Sequence, residues 1–409
     1  MNLSFYSSFL NDMANQEAQI ATLQQQISTG STVQTASQNP GIYETVAFAT
    51  DQVNQLSSDA TTQSNIQTQL GVANNAYSSI NSLLDNVQSV IEQGLNGTAN
   101  AQNLSALSQQ VQSASQQLLT IGNTQLPDGT YLFGGTRGNI APFQIDTTGN
   151  TPGGVAYFGD SGQSPTDIDD GTMVNRLVSG DVLTSALAGD GTSFVTANTN
   201  NTGTGQVLQQ GLANIQSANS FQAGSANITL SFSVTNGVTS YTAMQNGQQL
   251  STGNLTTSSN GETNLTVAGM NYQITGTPAN GDNFTISPAR AQSAFSLLQK
   301  ISTAFSNSRS TPAQIAQNNQ MLNQCLAGLG QYQQSVITAQ AQNGVTLQVL
   351  ANANTNISTQ TNAAQTTISN ATAVDMPAAI TALNQTMTAM EAAMKTFASA
   401  QSLSLFKYL

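Results

Sequence analysis
Near the end of the sequence, Met376, Ile380, Leu383, Met387, Met390, Met394 and Phe397 alternate steps of four and three residues without a break. That register is one face of an α-helix and the seam of a coiled coil. The beginning repeats it: Tyr6, Phe9, Met13, Gln16, Ile20, Leu23 and Ile27 keep the same steps, with one polar position at Gln16. A helix with a single apolar stripe is marginal alone, so each end needs something to pack against. Either the two ends close on each other as an intramolecular bundle, or they are assembly elements that meet other subunits. The stretch "SLSLFKYL" adds Leu405 and Leu409 to the apolar C-terminal set.

Between these ends the periodicity changes twice. The first helix reads from the start to about residue 28, Gly30 stops it, and "SQNPG" at 37–41 marks a turn. Helical spacing resumes near Tyr43 and runs to about 122, divided by "GLNGTAN" at 94–100. "LPDGTYLFGGTRG" then predicts a turn and a short strand, Tyr131 to Phe133. From about 139 to 288 the chain is rich in Gly, Thr and Asn. In "NITLSFSV" the residues Ile228, Leu230, Phe232 and Val234 share one strand face, and Asn236-Gly237 after it is a hairpin turn. "TNLTVAGMNYQITG" and "DNFTISP" read as further strands, and Val207 to Ile215 as a short helix. Helix returns at about 289 and is expected to persist to the end, restarting once at Asp375 and Pro377 as cap and early proline.

The expected fold class is α+β: long N- and C-terminal helical arms paired as a coiled coil or helical bundle, with a β-rich insert between them. Three domains follow: 1–42 with 366–409 as a terminal coiled-coil assembly domain, 43–138 with 289–365 as a helical-bundle core with a β-hairpin, and 139–288 as an outer β-rich insert.

Composition removes several kinds of chemistry. There is no His, so His-based general bases, Ser-His-Asp triads and His-rich zinc sites are excluded. Only 6% of residues are charged, the net charge is -12, and no Lys or Arg precedes Arg137. Such a chain repels nucleic acid and anionic membrane surfaces. No apolar run reaches bilayer-spanning length, so no membrane insertion is expected, and the start lacks the features of a cleaved secretory signal. The single cysteine, Cys325, shares a helical face with Leu322, Leu326 and Leu329 and reads as a small buried hydrophobe.

Three stretches invite functional readings. Asp167, Asp169 and Asp170 in "DIDDG" supply carboxylates for Ca²⁺, but no distal bidentate Glu follows, and an exposed turn is expected instead. "NTGTGQ" at 201–206 has no Walker lysine after it and is no phosphate loop. Met387, Met390 and Met394 continue an Ile/Leu register, so packing outweighs a soft-metal stripe. No cofactor, metal or catalytic residue is assigned. A second reading makes the insert a glycan-binding adhesin through exposed Tyr157, Phe158, Tyr241 and Tyr272.

Four stretches carry a family resemblance. "LQQQISTGSTVQTASQNP" resembles the N-terminal pattern of the flagellin superfamily, with Gln38 and Asn39 in place of two acids and Ser31 in place of a basic residue. "DGTYLFGGTRGNIAPF" resembles its G-x-Y-L-F-x-G hairpin. "ITGTPANGDNFTISPA" resembles the stretch that precedes the C-terminal helices of hook-associated proteins, and "SLSLFKYL" the short apolar family ending. Within the superfamily the chain is most similar to the hook-associated protein 3 family. The resemblance implies an extracellular structural role in the bacterial flagellum, at the hook-filament junction. Its partners would be further copies in a ring or helical layer, hook-associated protein 1, flagellin, and an export chaperone and export apparatus that pass the chain unfolded through the growing flagellum. It further implies that the terminal coiled coils line the inner tube. The interface residues would be Tyr6, Phe9, Met13, Ile20, Leu23, Ile27, Ile380, Leu383, Met387, Met390, Met394, Phe397, Leu405 and Leu409. Filament flagellin itself remains the alternative.

Overall fold
A computed structural model describes residues 3–33, 35–37, 39–96, 100–169, 171–256 and 263–405. Helix α1 spans Leu3–Thr29 and stops at Gly30, whose φ of +70° is the left-handed conformation that glycine adopts at little cost. Helix α2 is Pro40–Leu95. It begins three residues before Tyr43 because Asn39 and Pro40 form its start: the Asn39 side chain accepts the Ile42 N–H at 3.2 Å, and Pro40 takes a position that needs no N–H. Helix α3, Ala101–Gly122, is capped by the Asn100 side chain on the Asn103 N–H at 2.8 Å.

The stretch after α3 contains no strand at Tyr131–Phe133, contrary to expectation. Tyr131 makes only an isolated bridge to Gln125, while Leu132 and Phe133 are buried in a tight turn. The backbone there closes on a carboxylate instead of on a strand. Asp160 accepts the N–H groups of Thr136 at 2.8 Å and Gly162 at 3.0 Å. Gly135 has φ +61°, and a Cβ there would lie 2.1 Å from the Asp160 carbonyl. Two short hairpins follow: β1 Phe143–Ile145 with β2 Val155–Tyr157, and β3 Pro165–Asp169 with β4 Thr172–Asn175. The acidic cluster is therefore more than an exposed turn. Asp167 and Asp169 flank the fully buried Ile168 on β3, because alternate strand residues face opposite ways. Asp170 lies outside the described residues.

The insert is built from β5 Ser193–Ala197, β6 Gln206–Leu212, α4 Ile215–Ala223, β7 Ile228–Thr235, β8 Val238–Gln245, β9 Gln248–Asn254, β10 Thr263–Val267, β11 Met270–Thr275 and β12 Asn283–Pro288. One sheet has the order β5-β12-β7-β8-β9 and the other β10-β11-β6, with antiparallel pairing throughout. The Asn236-Gly237, Asn246-Gly247 and Ala268-Gly269 turns all have two consecutive positive φ angles, the hairpin geometry that matches strand twist. Ile228, Leu230 and Phe232 point inward with Phe284, Ile286, Tyr272 and Met270 into one apolar core. The helix expected over Val207 to Ile215 is instead strand β6, and α4 starts only at Ile215, where Asn214 caps the Ser217 N–H at 2.9 Å.

Helix α5, Ala294–Ser306, precedes α6, Pro312–Thr372, and α7, Met376–Leu405. The break between α5 and α6 departs from the continuous helix expected from 289. A reciprocal cap makes it: Thr311 Oγ1 accepts the Gln314 N–H at 3.2 Å, and Gln314 Oε1 accepts the Thr311 N–H at 3.2 Å, with Pro312 between.

The chain forms two compact units. One comprises 1–64, 168–170 and 351–409; the other comprises 65–167 and 171–350. The second unit has an apolar core, and carboxamides supply directional bonds across it. Asn343 donates to the Leu70 carbonyl at 2.8 Å, Gln340 to Asn74 at 3.1 Å, and Gln333 to Asp85 at 2.8 Å, which ties α6 to α2. Further along α6, Gln320 is 1% exposed and binds both the N–H (2.7 Å) and the C=O (2.9 Å) of Val207 on β6. Gln324 accepts the Val195 N–H of β5 at 2.9 Å. These amides satisfy strand groups that would otherwise be buried without partners, and this is why Val207 can sit in a strand. Cys325 lies beside them, fully buried, its thiol pushed up to about 12 by that burial.

Candidate assembly interface
Helices α1 and α7 pack against each other within the first unit. The segment that leaves α1 is bonded to the one that enters α7: the Thr32 N–H donates to the Thr372 carbonyl at 2.7 Å, and the Val374 N–H to the Gly30 carbonyl at 3.3 Å. Asp375 then starts α7 by accepting the Ala378 N–H at 3.1 Å, the cap that its sequence predicts.

On α1 the half-buried residues are Phe9, Met13, Gln16, Ile20, Leu23, Gln26 and Ile27. That is the register read from the sequence. Tyr6, at its outer end, is 45% exposed, yet its ring centroid is 5.7 Å from that of Phe397. Phe9 stacks on Phe397 at 4.1 Å and 7°. The buried Oε1 of Gln16, the one polar position of the predicted seam, has no hydrogen-bond partner among the described residues.

On α7 the covered face is rotated from the expected one. Ala379 is buried, and Leu383, Thr386, Met390, Ala393 and Phe397 are half-buried. Leu383, Met390 and Phe397 belong to the predicted seam. Ile380, Met387 and Met394 do not share their environment: they are 45%, 49% and 44% exposed. In each case the preceding small residue, Ala379, Thr386 or Ala393, takes the inward place. A small side chain lets two helix backbones approach closely, whereas a large one there would hold them apart. The residues missed in the sequence are thus Ala379, Thr386 and Ala393; their spacing of seven was visible, but small side chains carry little apolar signal. Ile380, Met387 and Met394, also seven apart, form a second stripe that α1 does not cover. Leu405 closes α7, and Leu409 lies outside the described residues.

No comparable site emerges elsewhere among the described residues. No group of three His, Cys, Asp or Glu side chains could hold a metal ion, and no helix is long and apolar enough to cross a membrane. Of the four aromatics considered for glycan binding, Tyr272 is fully buried, the Tyr157 hydroxyl donates to the Phe133 carbonyl at 3.1 Å, and Tyr241 is partly buried. Only Phe158 is well exposed, at 44%. "NTGTGQ" has a structural task. Asp282, 2% exposed, accepts the N–H groups of Thr202 at 2.8 Å, Ala279 at 2.8 Å and Gly203 at 3.1 Å, which joins that stretch to "PANGDNF".

The helix pair and the insert together allow comparison with known proteins. A family model described as the bacterial flagellin N-terminal helical region matches residues 2–137. Hook-associated protein 3 from Legionella pneumophila superposes with a TM-score of 0.70 over 80% of this chain and 98% of its own, at 21% identity. The fold is that of the flagellar junction proteins. FlgL from Xanthomonas campestris shares the junction fold with a TM-score of 0.67, covering 79% of this chain and 99% of its own at 24% identity. The junction protein FlgL from Legionella pneumophila does so at 0.66, covering 75% and 99% at 21% identity. No curated protein sequence matches this one. In this chain "ISTG" ends α1, and Asn39-Pro40 starts α2.

Proposed function
We propose that this chain is a structural component of the bacterial flagellum, set between the hook and the filament, and that it assembles through α1 and α7. The observation that carries the reading is the divided stripe on α7. One half is closed by α1, and the other half, Ile380, Met387 and Met394, is apolar, regularly spaced and open. A regular apolar face on a helix pair is suited to repeated contacts between subunits, and contacts that do not close on themselves build helical tubes. The likeness to junction proteins supports the same role. Under this reading the segments 1–42 and 366–409 form the assembly domain, 43–138 with 289–365 the core, and 139–288 the outward insert. The partners are further copies of the chain, hook-associated protein 1 on the hook side, flagellin on the filament side, and an export chaperone and export apparatus before assembly. The location is outside the cell, reached through the flagellar channel.

Deleting the gene tests this. The expected result is hooks without filaments, with abundant flagellin lost to the medium. Hooks without filaments and no flagellin in the medium would make the chain the filament subunit itself, and normal filaments would remove the assembly role.

A further inference from the structure
Helix α7 carries Met376, Met387, Met390 and Met394, four of the ten methionines in the chain. They are not equivalent. Met390 faces α1 and is half-buried, whereas Met376, Met387 and Met394 are 38%, 49% and 44% exposed. Methionine adapts its shape to varied neighbours, which suits a surface that must meet non-identical subunits. It also brings a chemistry that leucine or isoleucine would not.

We propose that the open stripe of α7 is an oxidation-sensitive face: a peroxide or hypohalous acid converts the Met387 and Met394 thioethers to sulfoxides and so makes the free subunit unable to assemble. With hydrogen peroxide, a sulfur lone pair attacks one oxygen, the O–O bond breaks, a sulfur–oxygen bond forms, and the other oxygen leaves as water. Sulfur loses two electrons and the peroxide gains them. Each product is a polar, strongly hydrated group where an apolar one stood. Burying it against a neighbour's apolar side chains then costs desolvation without a compensating hydrogen bond. Ile380, the third residue of the stripe, cannot be oxidised this way, so the sensitivity resides in the two methionines flanking the middle and outer turns. Once a subunit is incorporated, its neighbours cover the same sulfurs, so the vulnerable period is that of the free chain. The proposal rests on the reading of α7 as an assembly face.

The full-length chain can be brought to self-associate with ammonium sulfate, which strengthens apolar contacts, and followed by sedimentation before and after hydrogen peroxide. Peptide mass spectrometry assigns the sulfoxides. Met387 and Met394 are expected to oxidise about tenfold faster than the buried Met270, and the sedimenting fraction to fall about tenfold with them. The double variant Met387→Leu, Met394→Leu should keep its association under the same dose even though Met173, 62% exposed on β4, is oxidised. Equal loss in the double variant, or full association with both sulfoxides in place, would overturn the proposal. Ile380→Asp separates the two readings: it should abolish association of the unoxidised chain. If it does not, or if the untreated chain never associates, the assembly reading fails and the oxidation proposal falls with it.

Discussion
The α1–α7 pair and the α6–insert contact use the same residue economy in opposite ways. Both come from a chain in which charged residues are scarce, and among the described residues neither shows a buried ion pair. Against the insert, α6 presents carboxamides whose donors and acceptors are matched to the backbone of β5 and β6, and Gln320 and Gln324 are almost fully buried. That contact is complete within one chain. Along α7 the contact with α1 is apolar, shallow and one-sided, and it leaves Ile380, Met387 and Met394 open. Directional amide bonds specify one partner geometry. Non-directional apolar stripes tolerate several partners. Under the proposed assembly role, the chain would hold its own insert through the first kind of contact and meet its neighbours through the second.

The largest expected effect falls on the α1–α7 pair. Met390→Lys places a charge between α1 and α7 and should abolish motility, while the second unit keeps its folded spectrum; normal motility in the variant would show that the pair is dispensable. On the closed side, Asp282→Ala leaves the Thr202, Ala279 and Gly203 N–H groups without an acceptor and should lower unfolding free energy by about 3 kcal/mol, read by urea titration. Gln320→Leu removes the bonds to Val207 and should lower it by about 2 kcal/mol, with faster hydrogen exchange at the Val207 amide. An exchange rate unchanged from wild type would mean that the clamp does not protect the strand edge.

The smallest expected effect is that of pH near neutrality. Asp146, Asp160 and Asp128 are held below the usual carboxylate range, chiefly by hydrogen bonds from nearby threonines. A depressed carboxylate stabilises the fold above its unfolded pKa, and that contribution is lost as pH falls through the folded value. The loss therefore lies below about pH 4. Burial raises Asp190, which acts in the opposite direction. At the alkaline end, burial pushes Tyr77 and Cys325 up to about 12, and Tyr272 and Tyr332 also upward. These groups ionise first in the unfolded chain, so stability should decline as pH rises past about 9 to 10. The melting temperature should be nearly flat from about pH 5 to 8. A steep fall between neutral and mildly acidic pH would count against the low charge content acting as a buffer for the fold.

Much of this was legible in the residues. Gly30, Asn39-Pro40 and Asp375 act at helix ends through their own backbone preferences and side-chain caps, and Asn236-Gly237 sets its hairpin in the same local way. Alternation in β7 showed which residues face the core. Three readings failed where a distant partner overrode local pattern. Val207 to Leu212 looks helical until Gln320 and β11 complete its hydrogen bonds. Tyr131 to Phe133 looks extended until Asp160 folds the following loop back. The break after α5 was missed because its cap is polar and lies between two apolar helices, where only the Thr311–Gln314 pairing marks it.

The sequence by itself determined that both ends are single-striped helices, that a β-rich segment lies between them, and where most elements start and stop. Those are properties of neighbouring residues. Only the tertiary structure decided which part of the α7 stripe is used within the chain. A stripe at helical spacing is broad enough to face a partner in more than one rotation. The choice fell to Ala379, Thr386 and Ala393, whose small side chains admit α1 closely and turn Ile380, Met387 and Met394 outward.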